Sequence, residues 1–412
     1  MRYASAEQKR SERFKLFDLL LVVGLTLAPM TGLRVWKVGP AEVLCLIWAI
    51  RPLLKRRVRL NDTLSFFAVF LIAMSFGSVI GIYVTPGQVS PSGLLTWIYL
   101  AIIALGMYEG LSKMSLTYVE KLLRTFSTAS ILWYLFLFLY ARSVGKTFLG
   151  APLYYYHRYT GGALNPHQIA VMLCSLCFIF ARQMLERRKV YLNLIFMALS
   201  VYLLIQTESS TGILAVGLGF CVFIYSIAVN AFPRSKVPLT IVMTLLLILI
   251  GLFIYEFLFE RFMRWIASDS NGMGRITIFA SFPETFAKSP IFGLGPGTHA
   301  LEGDIEFHNT YLEIAAASGI VGFTAFMVYT VRIFRKTVSG EWKLFPVVCT
   351  MYAFGLAGFA MRRLVYWAIL SFVLVIAEKH LQIQQTQKME TTVTQEMAPQ
   401  EQVYPAWRQV RG

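Results

Sequence analysis

Charge is scarce in this chain. Asp, Glu, Lys and Arg make up 15% of its 412 residues, while 57% are apolar; soluble domains carry roughly 25% charged residues. The shortage excludes an ordinary water-soluble protein, and the hydrophobicity excludes disorder for most of the length. Acidic residues are the rarer sign, 22 against 38 basic, for a net charge of +16. Cysteine is scarce too: five residues, all inside apolar runs, exclude a disulfide scaffold. Cys174 and Cys177 form a CxxC with no second pair, which is too little for a structural zinc site. The sequence has no convincing internal repeat of the kind common in transporters, and no nucleotide-binding motif.

What is present is a series of long apolar segments. A helix crosses a bilayer with about 20 such residues. Twelve segments qualify, near 16–33, 38–54, 62–84, 93–110, 122–141, 166–184, 190–207, 211–230, 237–257, 309–331, 344–361 and 364–379. The expected fold is an all-α polytopic membrane protein of about twelve transmembrane helices, occupying residues 1–380. The first segment lacks a small-residue cleavage site and reads as a retained helix. The Gln/Glu/Thr-rich stretch 381–412 reads as a disordered cytoplasmic tail. Cytoplasmic loops hold excess Lys and Arg. With both termini inside, 27 of the 38 basic residues fall on the inner side. The positive charge is therefore a topology signal and calls for no nucleic-acid partner.

Eleven basic residues remain outside, among them Arg34, Arg142, Arg158, Arg261, Arg264, Arg275, Arg362 and Arg363. Four of the five histidines join them: His157, His167, His299 and His308. Two outer loops are long, 142–165 and 258–308. The second is too long for a passive connector. Its Gly-rich turns flank residues 275–288, where Ile276, Phe279, Phe282 and Phe286 have near-helical spacing, so it reads as a small helical cap. Arginine forks at headgroup depth suit an anionic ligand such as a lipid diphosphate. His308 suits a general base for a sugar hydroxyl, since histidine titrates near working pH. The outer carboxylates Asp269, Glu302, Asp304 and Glu306 are spaced poorly for a metal, and none is expected.

Four local patterns occur in an order that resembles one family. Phe307-His308-Asn309-Thr310-Tyr311-Leu312-Glu313, followed by Ser318-Gly319-Ile320-Val321-Gly322, resembles the "HNxYLe…GxxG" signature of the O-antigen ligase and polysaccharide polymerase superfamily. Gly293-Leu294-Gly295-Pro296-Gly297 after Pro290 is similar to its "GxGxG" turn. Gly274-Arg275 with Phe279 resembles "GRxxxW", with Phe for Trp. Arg158-Tyr159-Thr160-Gly161 and Asn165-Pro166-His167 resemble "RxxG…xPN", with His167 for Asn. The likeness covers roughly 150–330.

The resemblance implies an inner-membrane glycosyltransferase with its site on the periplasmic face and no cofactor. The donor would be a glycan on undecaprenyl diphosphate, the acceptor another glycan. His308, Arg275 and Arg158 would be catalytic. Asn309, Tyr311, Glu313, Arg362, Arg363, His167 and Arg264 would bind substrate. Many ligases of the superfamily carry "SRG" where this chain has Glu208-Ser209-Ser210-Thr211-Gly212, closer to the "SxST" of exopolysaccharide polymerases. Polymerisation of lipid-linked repeats is the leading expectation, with a possible chain-length regulator as partner. Ligation of the O-antigen to a lipid A-core is the alternative. A transporter is the third class, disfavoured because the polar groups gather at the surface and not at the midplane.

Overall fold

The computed structural model describes residues 14–35, 38–55, 60–85, 91–232, 279–297, 307–358 and 360–397, with a few positions between 237 and 245. Among the described residues the regular structure is helical apart from two small hairpins and the Val35–Val38 bridge. The helices are α1 (Leu16–Leu27), α2 (Pro40–Lys55), α3 (Asp62–Val84), α4 (Pro91–Ser112) and α5 (Leu116–Ser143). They continue as α6 (Pro166–Leu185), α7 (Val190–Gln206), α8 (Ser210–Ala231), α9 (Phe282–Lys288), α10 (Thr310–Gly340), α11 (Phe345–Phe354) and α12 (Leu364–Met397). Between α5 and α6, β1 (Thr147–Phe148) pairs with β2 (Ala151–Pro152), and β3 (Tyr154–Tyr155) with β4 (Arg158–Tyr159), both antiparallel.

Eleven of the twelve expected segments coincide with helices; the remaining one, 237–257, lies mostly outside the described residues. Among the described residues, seven helices are long and apolar enough to cross a membrane: α3, α4, α5, α6, α8, α10 and α12. Two segments are shorter than their apolar runs suggested. α1 stops at Leu27, because Pro29 follows and the chain turns through a 3₁₀ element at Thr31–Leu33. α11 stops at Phe354, because the carbonyls of Gly355 to Gly358 are drawn to other helices. The tail departs from expectation in the other direction. α12 runs on as helix to Met397, exposed over 382–392, so 381–397 is not irregular. Its Gln, Lys, Glu and Met residues are good helix formers, and no Gly or Pro intervenes before Pro399.

Caps fix where the helices begin. The side chains of Asn61, Ser115, Asn165, Ser209 and Asn309 each accept from a backbone N–H in the first turn of the following helix. Burial sorts the bundle. The most apolar window of α6 is 89% buried and that of α12 78%, against 33% for α3 and 28% for α8. So α6 and α12 form the centre, while α3 and α8 turn most of their surface outward. Phe66, Phe67 and Tyr329 pack on Trp367 of α12, with ring centroids 4.7–6.3 Å apart, a spacing favourable for aromatic pairs. Gly106 lets α4 approach α2: a Cβ there would lie 2.2 Å from the Ala49 carbonyl oxygen.

The two ends of the bundle differ. At one end lie the starts of α6, α8, α10 and α12. At the other, Arg182 is almost wholly buried and reaches Glu120 (2.7 Å), Glu186 (2.8 Å) and Glu341 (3.5 Å). His380 stands 3.2 Å from Glu341. Nearby, Asp62 pairs with Arg332 and with Lys336 (2.6 Å), and Lys336 also pairs with Glu378 (2.5 Å).

Candidate functional site

The first long loop is folded by its own hydrogen bonds. The Thr160 hydroxyl donates to the Pro152 carbonyl (2.9 Å), and the Tyr159 hydroxyl donates to the Tyr134 carbonyl on α5 (2.7 Å). Burial, with Tyr154 adding to it, pushes the Tyr159 phenol well above its usual range, so it stays a donor. Gly32 N donates to the Gly162 carbonyl and Leu164 N to the Thr31 hydroxyl, which ties the loop to the turn after α1. β4 is thereby held rigidly, and Arg158 projects from it.

Arg158 donates from Nε to the Thr207 carbonyl (3.1 Å) and from Nη2 to the Glu208 carbonyl (3.0 Å). Both carbonyls belong to the turn between α7 and α8. Glu208 holds a left-handed conformation there (φ 48°), which is uncommon outside glycine. Its carboxylate lies 2.8 Å from His157 Nε2. His167, in the first turn of α6, places Nδ1 2.7 Å from the Ser209 hydroxyl. Arg158 and His167, nine positions apart in sequence, therefore meet on the start of α8.

The second half of the site grows from α10. Asn309 caps the helix by accepting from Tyr311 N (2.9 Å) and Leu312 N (3.1 Å), while its amide donates to the Leu356 carbonyl (2.7 Å). Thr310 N donates to the Gly355 carbonyl (2.8 Å). Its hydroxyl donates to the Gly358 carbonyl (2.8 Å) and accepts from Ala360 N (3.2 Å). The Tyr311 hydroxyl donates to the Tyr352 carbonyl (3.0 Å). So the Asn-Thr-Tyr run stitches the start of α10 to the turn 355–360. His308 sits immediately before the cap with φ 50°, half-buried.

The same turn joins the two halves, because the Thr211 hydroxyl of α8 donates to the Ala357 carbonyl (3.1 Å). One continuous chain of contacts then runs from Arg158 and His167, through the start of α8 and the turn 355–360, to Asn309 and the residue beside it, His308. Arg362 and Arg363 follow that turn, both half-buried, with Arg363 N bonded to the Ala360 carbonyl (3.0 Å). They lie near Tyr99 of α4, as do Arg34 and Glu42. Arg34 and Glu42 form an ion pair, and Glu42 also accepts from Gly39 N (3.0 Å).

Of the residues singled out from sequence, Arg158, His167, His308, Asn309, Tyr311, Arg362 and Arg363 thus gather at one end of the bundle. Glu313 lies one turn into α10 and is 4% exposed, so it is placed to line the interior and not the surface. Arg275, Arg264 and the carboxylates Asp269, Glu302, Asp304 and Glu306 lie outside the described residues. So does the start of the expected cap helix; 279–280 are helical and α9 covers Phe282–Lys288, with the Phe282 and Phe286 rings 5.4 Å apart. Sequence reasoning missed Thr211 and Thr310, which are the hydroxyls that hold the halves together. It also missed the Arg34–Glu42 pair. The available signal for the pair was a carboxylate within an apolar segment; the hydroxyls gave none beyond their place beside caps. Cys174 and Cys177 are buried free thiols.

Residues 195–327 match the family model described as O-antigen ligase. No curated protein matches the chain. The matched stretch includes the start of α8, the Gly293–Gly297 turn, His308 and the first part of α10. Over that stretch it bears out the resemblance to the O-antigen ligase and polymerase superfamily drawn from the motifs.

Proposed function

We propose that this protein acts as the O-antigen ligase and polymerase superfamily does and transfers a glycan from undecaprenyl diphosphate to an acceptor glycan, at the periplasmic face of the inner membrane, with both termini in the cytoplasm. The reaction we favour is polymerisation of lipid-linked repeats of a surface polysaccharide. The observation that carries this reading is the convergence of Arg158, His167, His308 and Asn309, with Arg362 and Arg363 alongside, on the starts of α8 and α10. These side chains come from four separate stretches of sequence and supply the two chemical functions such a transfer needs.

The acceptor hydroxyl attacks the anomeric carbon while the bond from that carbon to the diphosphate oxygen breaks. The hydroxyl proton passes to His308. The electron pair leaves with the undecaprenyl diphosphate, and the configuration inverts. Arginine forks offset the charge that develops on the leaving phosphate. Arg158 is suited to this because two carbonyls fix its guanidinium without cancelling its charge. Asn309, the residue after His308, is fixed by its cap and by the Leu356 carbonyl, and Arg275 and Arg264 of the long loop are further candidates for binding the diphosphate. No step in this scheme calls for a metal.

Ligation to a lipid A-core is the second reading, favoured by the description of the matched family. Both use the same donor and differ in acceptor. The test is reconstitution: purified protein in lipid vesicles is given undecaprenyl-diphosphate-linked repeats, with and without lipid A-core. Longer lipid-linked chains without the core support the polymerase. Product only with the core supports the ligase. No product under either condition, from protein that is folded, contradicts glycan transfer.

A further inference from the structure

Helix α10 is broken inside the bundle. Gly319 has φ 60° and ψ −164°, which divides the helix into an upper part, 310–318, and a lower part, 320–340. In an unbroken helix Ile320 N would bond the Ala316 carbonyl and Val321 N the Ala317 carbonyl. Both bonds are replaced. Leu294 N donates to the Ala316 carbonyl (2.9 Å) and Gly295 N to the Ala317 carbonyl (3.0 Å). Ile320 N donates to the Pro290 carbonyl (2.8 Å) and Val321 N to the Ile291 carbonyl (3.2 Å). Residues 290–295 are spliced into the hydrogen-bond ladder, so two helical bonds give way to four bonds with an inserted strand of backbone. Irregular backbone at such a depth survives only where other protein groups satisfy it, and here each freed group has a partner.

Glycines make the splice possible. A Cβ on Gly319 would lie 2.3 Å from the Ile291 carbonyl carbon and oxygen, and one on Gly293 2.5 Å from Ser318 N. On the far side α3 closes in: a Cβ on Gly77 would lie 2.5 Å from the Phe292 carbonyl oxygen, and Gly295 is as close to Ser78. The two glycine motifs of the sequence, at 293–297 and 319–322, are thus the mating halves of one joint.

The upper part of α10 is short and held at both ends. Asn309 and Thr310 fasten its start to the turn 355–360, and the splice fastens its end. His308 stands at its head. We propose that segment 290–295 is a brace that sets the position of His308, with Gly319 as the positioning residue that admits it. The proposal deepens the functional reading above and rests on it only for the role of His308.

Two substitutions separate the joint from simple stability. Gly319→Ala places a methyl against Ile291 and favours a continuous helix. Ile320→Pro does the reverse. Proline is tolerated in the first turn of a helix, whereas in a continuous α10 its ring would strike the Ala316 carbonyl. Ile320 is half exposed, and only its bond to Pro290 is lost. In the purified full-length protein, Gly319→Ala is expected to expose the Leu294 and Gly295 amides to hydrogen exchange and to change the rate at which diethyl pyrocarbonate modifies His308. It should lower kcat about 100-fold, the effect of a roughly 1 Å misplacement, with KM for the lipid-linked donor near its original value. Ile320→Pro should keep the amide protection, the His308 modification rate and most of kcat. Equal behaviour of the two variants overturns the proposal. So does a Gly319→Ala protein that loses amide protection yet keeps wild-type kcat and His308 reactivity. If the unmodified protein transfers no glycan, the functional reading fails by itself, and the exchange and modification rates still decide whether the brace positions His308.

Discussion

The two ends of the bundle solve the same problem, polar groups beside an apolar interior, in opposite ways. At the end away from the candidate site, charges are closed on one another: Arg182 with Glu120, Glu186 and Glu341, and Asp62 and Glu378 with Lys336. At the site end Arg34–Glu42 and His157–Glu208 also pair, but Arg158 and Asn309 are held by carbonyl oxygens, and Glu208 and His308 sit in left-handed conformations. An ion pair spends a charge on structure. A carbonyl orients a cation and leaves its charge able to act on a third group. Left-handed residues stand at both ends, Arg187 and Lys189 at the far one, so the difference lies in how the charges are held. The contrast supports the proposal that the end carrying Arg158 and Asn309 is the one that does chemistry.

The largest expected effect tests the stable end. Arg182→Ala takes the buried central cation from one buried and two half-buried carboxylates, and breaking a buried pair costs about 3–5 kcal/mol. Thermal unfolding in detergent should show a clear loss of stability, and the residual folded protein should keep its specific activity. Loss of specific activity with unchanged stability would erase the distinction between the ends.

Arg158→Ala is the counterpart at the site end. Removing a preorganised charge contact costs roughly 10²–10³ in rate, so transfer should fall by that factor while folded yield holds. Arg158→Lys should recover little, because one ammonium cannot span two carbonyls as the fork does. Full activity of either variant in the reconstituted assay would remove Arg158 from the site.

Thr310→Val sits between the ends in kind. It deletes the hydroxyl that serves both Gly358 and Ala360, at a cost of about 1–3 kcal/mol for buried groups left unpaired. Protection of the Ala360 amide should fall first, with a several-fold drop in transfer. An unchanged exchange rate at Ala360 would show that the turn 355–360 is held by other contacts.

The smallest effect returns to the far end. Arg332 is half exposed and paired with Asp62. Surface pairs are worth about 0.2–1 kcal/mol, so Arg332→Ala should shift the unfolding midpoint only slightly and leave transfer alone. A shift as large as that of Arg182→Ala would mean the two ion-pair groups act as one.

The sequence made the helices legible because apolar runs of bilayer length are hard to mistake for anything else. The site residues were legible as a set of types: Arg158, His167, His308 and Asn309 lie near turns and caps, where the outer surplus of cationic groups drew attention. Their meeting was not legible. Arg158 reaches the Thr207 carbonyl across 49 positions and Asn309 the Leu356 carbonyl across 47, and the acceptors are backbone atoms that any residue supplies. The break at Gly319 was equally hidden. A glycine in an apolar run reads as helix, and only the approach of Ile291 shows why glycine is required. The polar composition past 381 reads as irregular, yet α12 continues to Met397 because its Gln, Lys, Glu and Met residues favour helix.

The most direct test of the central claim, that the His308 site performs glycan transfer, is a size analysis of surface and lipid-linked glycans in cells carrying His308→Ala, beside wild type and a deletion. The account predicts full-level protein, single repeats on the lipid carrier, and none of the long chains that wild type makes. Long chains of normal length and amount in the His308→Ala cells, where the deletion has none, would contradict it.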